Sequence, residues 1–219
     1  MRLRLADADE AVADVRSGSS VLVGGFGLAG QPVELIDALL RTDADDLTII
    51  SNNAGNGDTG LALLIAHDRV RKVICSFPRQ VDSWHFDAAF RDGRLELEVV
   101  PQGTLAERIR AGGAGIGGFF TPTAYGTPLA DGKEVRVIDG RGHVFETPIR
   151  ADAAMIKAHL GDLAGNLVYR KTTRNFGPIM ATAAETTIVQ VSKVLPVGSL
   201  DPEMVVTPGI YTDVIVESA

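Results

Sequence analysis

Val21-Leu22-Val23 is a short apolar run, and four glycines follow it within seven residues: Gly24, Gly25, Gly27 and Gly30. Pro32 comes next, and Val33, Leu35, Ile36, Leu39 and Leu40 then recur at helical spacing. Such a run reads as a buried strand, the glycines as a tight loop and the proline as the first turn of a helix. The unit confines the chain to folds in which a loop almost bare of side chains closes the carboxyl end of a buried strand. The rest of the sequence repeats the alternation. Strands are predicted at 20–24, 47–51, 73–76, 95–100, 154–158, 167–169 and 187–191, and further helices at 61–66, 82–91 and 178–184. Asp7 and Glu10 have capping-box spacing ahead of a helix ending near Gly18; Thr104 and Glu107 repeat it ahead of a helix through Arg110. A glycine-rich loop at 112–118 and a hairpin joining 135–138 to 143–146 over Gly140-Arg141-Gly142 interrupt the pattern. Alternation without linker, repeat or low-complexity segment predicts one α/β domain over residues 1–219, a mostly parallel sheet covered by helices on both faces in a Rossmann-like three-layer arrangement.

At 219 residues the chain can bury a sizeable core. A net charge of −7 speaks against a nucleic-acid partner. No apolar run reaches the roughly 18 residues that span a membrane, and Met1 to Asp7 has no signal-peptide core. Cys75 is the sole cysteine, so no internal disulfide or thiolate metal cluster is expected. Inside Val73-Ile74-Cys75-Ser76 it reads as a small buried hydrophobe. His67, His85, His143 and His159 lack metal-ligand spacing. The expectation is a cytoplasmic protein with no metal.

Gly25-Phe26-Gly27-Leu28-Ala29-Gly30 matches the G-x-G-x-x-G dinucleotide pattern, between a strand and a helix as that pattern requires. A ribose-binding acid should close the next strand, yet that strand ends Ile49-Ile50-Ser51-Asn52-Asn53. A dinucleotide oxidoreductase is therefore a distant alternative, and glycines serving only a tight turn are another. The glycine loop, Ser51-Asn52-Asn53-Ala54-Gly55 and Pro101-Gln102-Gly103-Thr104 each follow a predicted strand. In an open parallel sheet those ends form one crevice. Lined by loop N–H groups, two asparagines and a glutamine, it holds neutral donors but no acid, base or nucleophile, which suits a developing oxyanion. Asn52 and Asn53 could instead cap a turn.

Residues Ser17 to Pro32 resemble the signature of the A subunit in family I CoA-transferases of the 3-oxoacid type: Asp/Asn-Gly-x-x, three apolar residues, then Gly-Gly-Phe-x-x-x-Gly-x-Pro. The one departure is Ser17, a turn position where Ser also serves. Pro101-Gln102-Gly103-Thr104-Leu105-Ala106-Glu107-Arg108, Phe120-Thr121-Pro122-Thr123, Asn166 to Arg170 and Thr207-Pro208-Gly209 also look like family segments in family order. Cys75-Ser76-Phe77-Pro78-Arg79-Gln80 is most similar to the 3-oxoadipate branch. The resemblance implies a chain that works with a B subunit, in a heterodimer or A2B2 heterotetramer. The nucleophile of the family is a Glu in a Ser-Glu-Asn-Gly context of the B half, and no Glu in this chain precedes an Asn. It further implies CoA and acyl-CoA as passing substrates with no permanently bound cofactor, and transfer from succinyl-CoA to a 3-oxoacid such as 3-oxoadipate. Acetoacetate or a short-chain fatty acid is the alternative acceptor. Gln102 is the candidate oxyanion donor; Gly24, Gly25, Phe26, Gly27 and Gly30 are candidates for holding CoA, and Asn52, Asn53, Arg79 and Gly103 for holding substrate. Arg79 suits a distal carboxylate, or else a surface salt bridge. Arg170, Lys171 and Arg174 form a small basic cluster that could meet the partner, meet CoA phosphates or serve the structure.

Overall fold

A computed structural model describes residues 3–218, so the sequence readings at Met1, Arg2 and Ala219 fall outside it. Strand β1 (Arg4–Leu5) leads into α1 (Ala8–Val12), whose Asp7 cap accepts the Glu10 N–H at 2.8 Å. The helix stops at Val12 rather than near Gly18, because the turn after it tucks Val15 back into the core. Three strand–helix units follow: β2 (Ser20–Val23) with α2 (Val33–Arg41), β3 (Leu47–Ile50) with α3 (Leu61–Ala66), and β4 (Val70–Cys75) with α4 (Trp84–Arg91). Then come β5 (Glu96–Val99) and α5 (Gln102–Gly113).

Helix α5 corrects two expectations. Pro101 opens it, so Thr104 is buried in its first turn instead of capping it, and Glu107 pairs with Arg110 at 2.8 Å. Gly112 and Gly113 belong to the helix rather than a loop. A Cβ on Gly112 would lie 1.9 Å from the Ile149 carbonyl oxygen, and one on Gly113 2.1 Å from the Thr182 hydroxyl, so only glycine lets α5 pack this close.

A small antiparallel sheet comes next, of β6 (Phe119–Thr121), β7 (Val135–Ile138) and β8 (Arg141–Glu146). The β7–β8 turn is Asp139-Gly140, both at positive φ, so Arg141 and Gly142 lie in the strand rather than the turn. The chain then re-enters the main sheet as β9 (Ala151–Lys157). It adds β10 (Leu160–Asp162), β11 (Leu167–Val168) and α6 (Gly177–Ala181), and closes with β12 (Ala184–Val191), β13 (Lys193–Leu195) and β14 (Val214–Glu217). Strands β1, β6, β10, β13 and β14 extend beyond the strands predicted from sequence.

The main sheet has eight strands in the order β1-β14-β12-β9-β2-β3-β4-β5, every neighbouring pair parallel. Alternate side chains of the inner strands enter two cores. Val21, Val23, Ile49, Val73 and Met155 face α1 to α4, whereas Leu22, Ile50, Ala154 and Ile156 face α5, α6 and the β10-β11-β13 sheet. Burial on both faces explains why the strands are almost continuously apolar. Chain order reverses between β2 and β9, and ligands of open parallel sheets bind at the carboxyl ends beside such a reversal. No helix among the described residues is long and apolar enough to cross a membrane.

Candidate active site

Loops from β2, β3, β4 and β5 meet at the carboxyl edge of the sheet. Between them lies a cavity of about 410 Å³ lined by Phe26, Gly27, Asn52, Ser76, Phe77, Gln80 and Gln102. Asn52 follows β3, and its side chain is buried beneath the cavity floor. Its Oδ1 accepts from Gln102 Nε2 at 2.7 Å and from the Ser76 hydroxyl at 2.8 Å. A primary amide nitrogen carries two hydrogens, so Gln102 keeps a second donor after orienting itself on Asn52. Pro101 puts Gln102 at the first helical residue of α5, which places this side chain at the mouth of the crevice.

The other sequence candidates fall into distinct places. Asn53 turns away and accepts the Gly55 N–H at 3.0 Å, which is the turn-capping role. Gly103 borders an adjoining cavity of about 300 Å³, whose walls include Phe26, Gln102, Asn175 and Phe176. Arg79 does not line the first cavity; its neighbour Gln80 does. The Arg79 side chain is 64% exposed and donates from Nε to Asp87 at 2.5 Å. An ion pair that exposed contributes under about 1 kcal/mol, so another carboxylate can displace it.

The glycine loop differs most from its sequence reading. Gly24 N–H bonds to the Met155 carbonyl, Phe26 and Ala29 bond to each other in both directions, and Gln31 N–H reaches the Leu28 carbonyl. The Gly25 N–H is taken by Asn175 Oδ1 at 3.2 Å. At the start of α2, Pro32 has no N–H, and the Glu34 N–H is taken by Gln190 Oε1 at 3.2 Å. Three of its donors are thus spent within the loop and two on Met155 and Asn175, and the helix end behind it carries an acid. What the loop offers the cavity is the Phe26 ring and the Gly27 tip. Gly25 and Gly30 both sit at positive φ; a Cβ on Gly25 would come within 2.8 Å of Gln31 Cγ, and one on Gly30 within 2.8 Å of Asn175 Nδ2.

Ser76, Phe77, Gln80, Asn175 and Phe176 escaped the sequence reading as site residues. Phe77 and Gln80 lay inside a segment already singled out, but nothing local marks Asn175, whose contacts with the loop span about 150 residues of chain. Phe26 and Phe77 are 52% and 58% exposed, so the mouth of the cavity is an open apolar rim. Arg170 and Lys171 border a separate cleft with Lys157 and His159.

Titration separates inert groups from structural ones. Burial pushes the Cys75 thiol up to about 12, against a weaker pull from the Phe77 backbone, so it stays a protonated, unreactive thiol. Burial also raises Tyr169 to about 12, its hydroxyl being held by Thr207. Glu98 goes the other way. Burial works to raise its carboxyl, but hydrogen bonds from Arg108 and Lys72 outweigh that and leave it lowered.

The fold and crevice are those of an enzyme whose chain arranges neutral donors around an apolar-rimmed cavity. Residues 5–218 match the family model described as Coenzyme A transferase, and the chain belongs to that family. Over 206 residues it is 63% identical to the A subunit of 3-oxoadipate CoA-transferase from Pseudomonas putida, covering 94% of this chain and 89% of that one. It is 57% identical over 211 residues to the A subunit of the 3-oxoadipate CoA-transferase from Acinetobacter baylyi, with 96% and 92% covered. Among solved structures, an acyl-CoA transferase of Escherichia coli O157:H7 superposes with a TM-score of 0.88 at 22% identity, a likeness of fold. That match covers 99% of this chain and 47% of the E. coli chain, so this chain spans about half the length of that solved protein.

Proposed function

We propose that this chain is the A subunit of a CoA-transferase that moves CoA from succinyl-CoA to 3-oxoadipate, with the nucleophile supplied by a B subunit. The observation that carries the reading is the 63% identity, over nearly the whole chain, to the A subunit of a 3-oxoadipate CoA-transferase. The crevice is in keeping with it, its lining being rich in amides and holding no carboxylate, thiol or imidazole. A carboxylate from the partner attacks the thioester carbonyl, expels CoA thiolate and leaves an acyl anhydride. The thiolate then attacks the carboxyl of the partner's own Glu, releasing succinate and leaving an enzyme–CoA thioester. The acceptor carboxylate reverses both steps and departs as its CoA ester, which regenerates the Glu.

Each step passes through a tetrahedral oxyanion, and the free Gln102 N–H is the donor this chain supplies. The Phe26 and Phe77 rim excludes water once the partner closes over it, which protects the anhydride from hydrolysis. CoA and its esters pass through as substrates, with no permanently bound cofactor. Asn52 and Gly103 shape the walls, and Arg79 is the candidate for the distal carboxylate of the acceptor. In this reading the complex is a heterodimer or A2B2 heterotetramer of the cytoplasm. The test is reconstitution. The chain mixed with a B subunit should turn over succinyl-CoA with 3-oxoadipate, while either chain alone should not. Equal or better rates with acetoacetate or a short-chain fatty acid would overturn the choice of acceptor.

A further inference from the structure

Beside Gln31, whose Nε2 donates to the Gly27 carbonyl at 2.9 Å, the glycine loop over the cavity is bracketed from a distant segment by Asn175. The side chain uses both ends of its amide: Oδ1 accepts the Gly25 N–H at 3.2 Å and the Phe176 N–H at 2.6 Å, while Nδ2 donates to the Ala29 carbonyl at 3.0 Å and the Thr172 carbonyl at 2.7 Å. Two of those four bonds grip the two ends of the loop segment 25–29. The other two anchor the grip in its own segment.

That segment is stiff. Thr173 bonds back to Arg170 through its hydroxyl at 2.6 Å, and Phe176 is buried in the core beneath α6. Sterics agree with the hydrogen bonds. A Cβ on Gly30 would meet Asn175 Nδ2 at 2.8 Å and the Thr173 carbonyl at 3.0 Å, so loop and bracket touch without slack. The Phe26 ring between the clamped residues borders the cavities on both sides of Gln102.

We infer that Asn175 is a positioning residue: by clamping Gly25 and Ala29 it fixes Phe26 and Gly27 against the cavity, and with them the orientation of the reacting acyl group relative to Gln102. The inference rests on the transferase reading for its catalytic consequence but not for the clamp itself. Misplacement of about 1 Å around a reacting centre can cost roughly 10²-fold in rate. Because the loss is of orientation, it should fall on kcat more than on KM.

The experiment uses Asn175→Ala in the assembled two-subunit complex, with amide hydrogen exchange and steady-state kinetics measured on the same preparation. Exchange in a peptide spanning residues 24–31 should quicken by roughly tenfold or more, with the peptide covering β3 unchanged. The kcat should fall roughly 10- to 100-fold, with KM for succinyl-CoA within about threefold. Unchanged exchange in the loop overturns the clamp. A rate loss matched by an equal loss of assembled complex overturns the positioning role. Should Asn175→Ala not fold, Asn175→Asp keeps the acceptor for the Gly25 and Phe176 N–H groups but sets an acceptor against the Ala29 carbonyl, and must give the same two signatures; an Asn175→Asp complex with normal exchange and normal kcat overturns the proposal. A wild-type complex without transferase activity would refute the function instead, and the exchange result would still decide the clamp.

Discussion

Gln102→Ala is expected to lower catalysis far more than stability. The side chain is exposed on the first turn of α5, and its one bond is to Asn52 Oδ1 at 2.7 Å. Truncation leaves Asn52 Oδ1 still satisfied by the Ser76 hydroxyl at 2.8 Å, so no buried acceptor is orphaned. The stability cost is then that of one ordinary hydrogen bond, about 0.5–1.5 kcal/mol. For a chain of this size that lowers Tm by roughly 1 to 6 °C. The kinetic cost is that of a lost oxyanion donor, about 10²- to 10³-fold in kcat, or about 3–4 kcal/mol of transition-state stabilisation. The assay is turnover of succinyl-CoA by the reconstituted complex, with a thermal melt of the same sample. Gln102→Glu is the stricter variant, since it keeps the shape but sets an acceptor against Asn52 Oδ1 and against a partner carboxylate. The expected result is a large fall in kcat with a small change in Tm. Full turnover by Gln102→Ala at unchanged KM would refute the assignment of the donor.

Three further outcomes are expected. Arg79→Ala should raise KM about tenfold for dicarboxylate acceptors and leave monocarboxylate acceptors nearly unaffected, because the exposed pair with Asp87 stabilises the fold by under about 1 kcal/mol; equal effects on both acceptor classes would assign Arg79 to the surface. Glu98→Gln should cost about 1–3 kcal/mol at neutral pH, between an exposed and a buried pair, since it neutralises the carboxylate 2.8 Å from the buried Arg108 and leaves that guanidinium only the Glu146 carboxylate, 3.9 Å away. Its folded pKa is lowered below the ordinary 4.5, so the stabilisation is complete above that value and is lost as pH falls through the folded pKa; the Tm gap between wild type and Glu98→Gln should therefore be constant above about pH 5 and close on acidification. Gly25→Ala should cost about 1–2 kcal/mol for the positive φ alone, and more if Gln31 cannot yield; a melt identical to wild type would show that the loop relaxes freely.

Much of this architecture was legible in the chain itself. Alternation of Val/Ile runs with amphipathic stretches already implies a parallel sheet under helices, because residues such as Val21 and Leu22 are both apolar and must both be buried, one on each face. One half of the capping box at Asp7 forms as its spacing predicts, the Asp7 carboxylate accepting the Glu10 N–H, since it is a contact between residues three apart. Where the same pattern misled, a stronger local constraint intervened. Pro101 starts α5 before Thr104 can cap it, and the Asp139-Gly140 turn shortens the hairpin loop. The strand ends at Gly24, Asn52 and Gln102 could be picked out as one crevice from order alone, because parallel strands all point the same way.

What each residue does there was decided only by the tertiary structure. Asn52 and Asn53 are adjacent and chemically identical, yet one orients Gln102 and the other caps Gly55. Both lie past the end of β3 at Ile50, so the packing of the neighbouring loops, not the strand, decides which of them faces the cavity. The glycine loop looks like a row of free donors in sequence, but bonds within the loop and to Asn175 and Met155 occupy those of Gly24, Gly25, Phe26, Ala29 and Gln31. Sequence determined the class of fold and where along it the crevice opens, since periodicity and turn chemistry are local. The partners of each polar group were settled by packing between segments far apart in the chain, where no local pattern reaches.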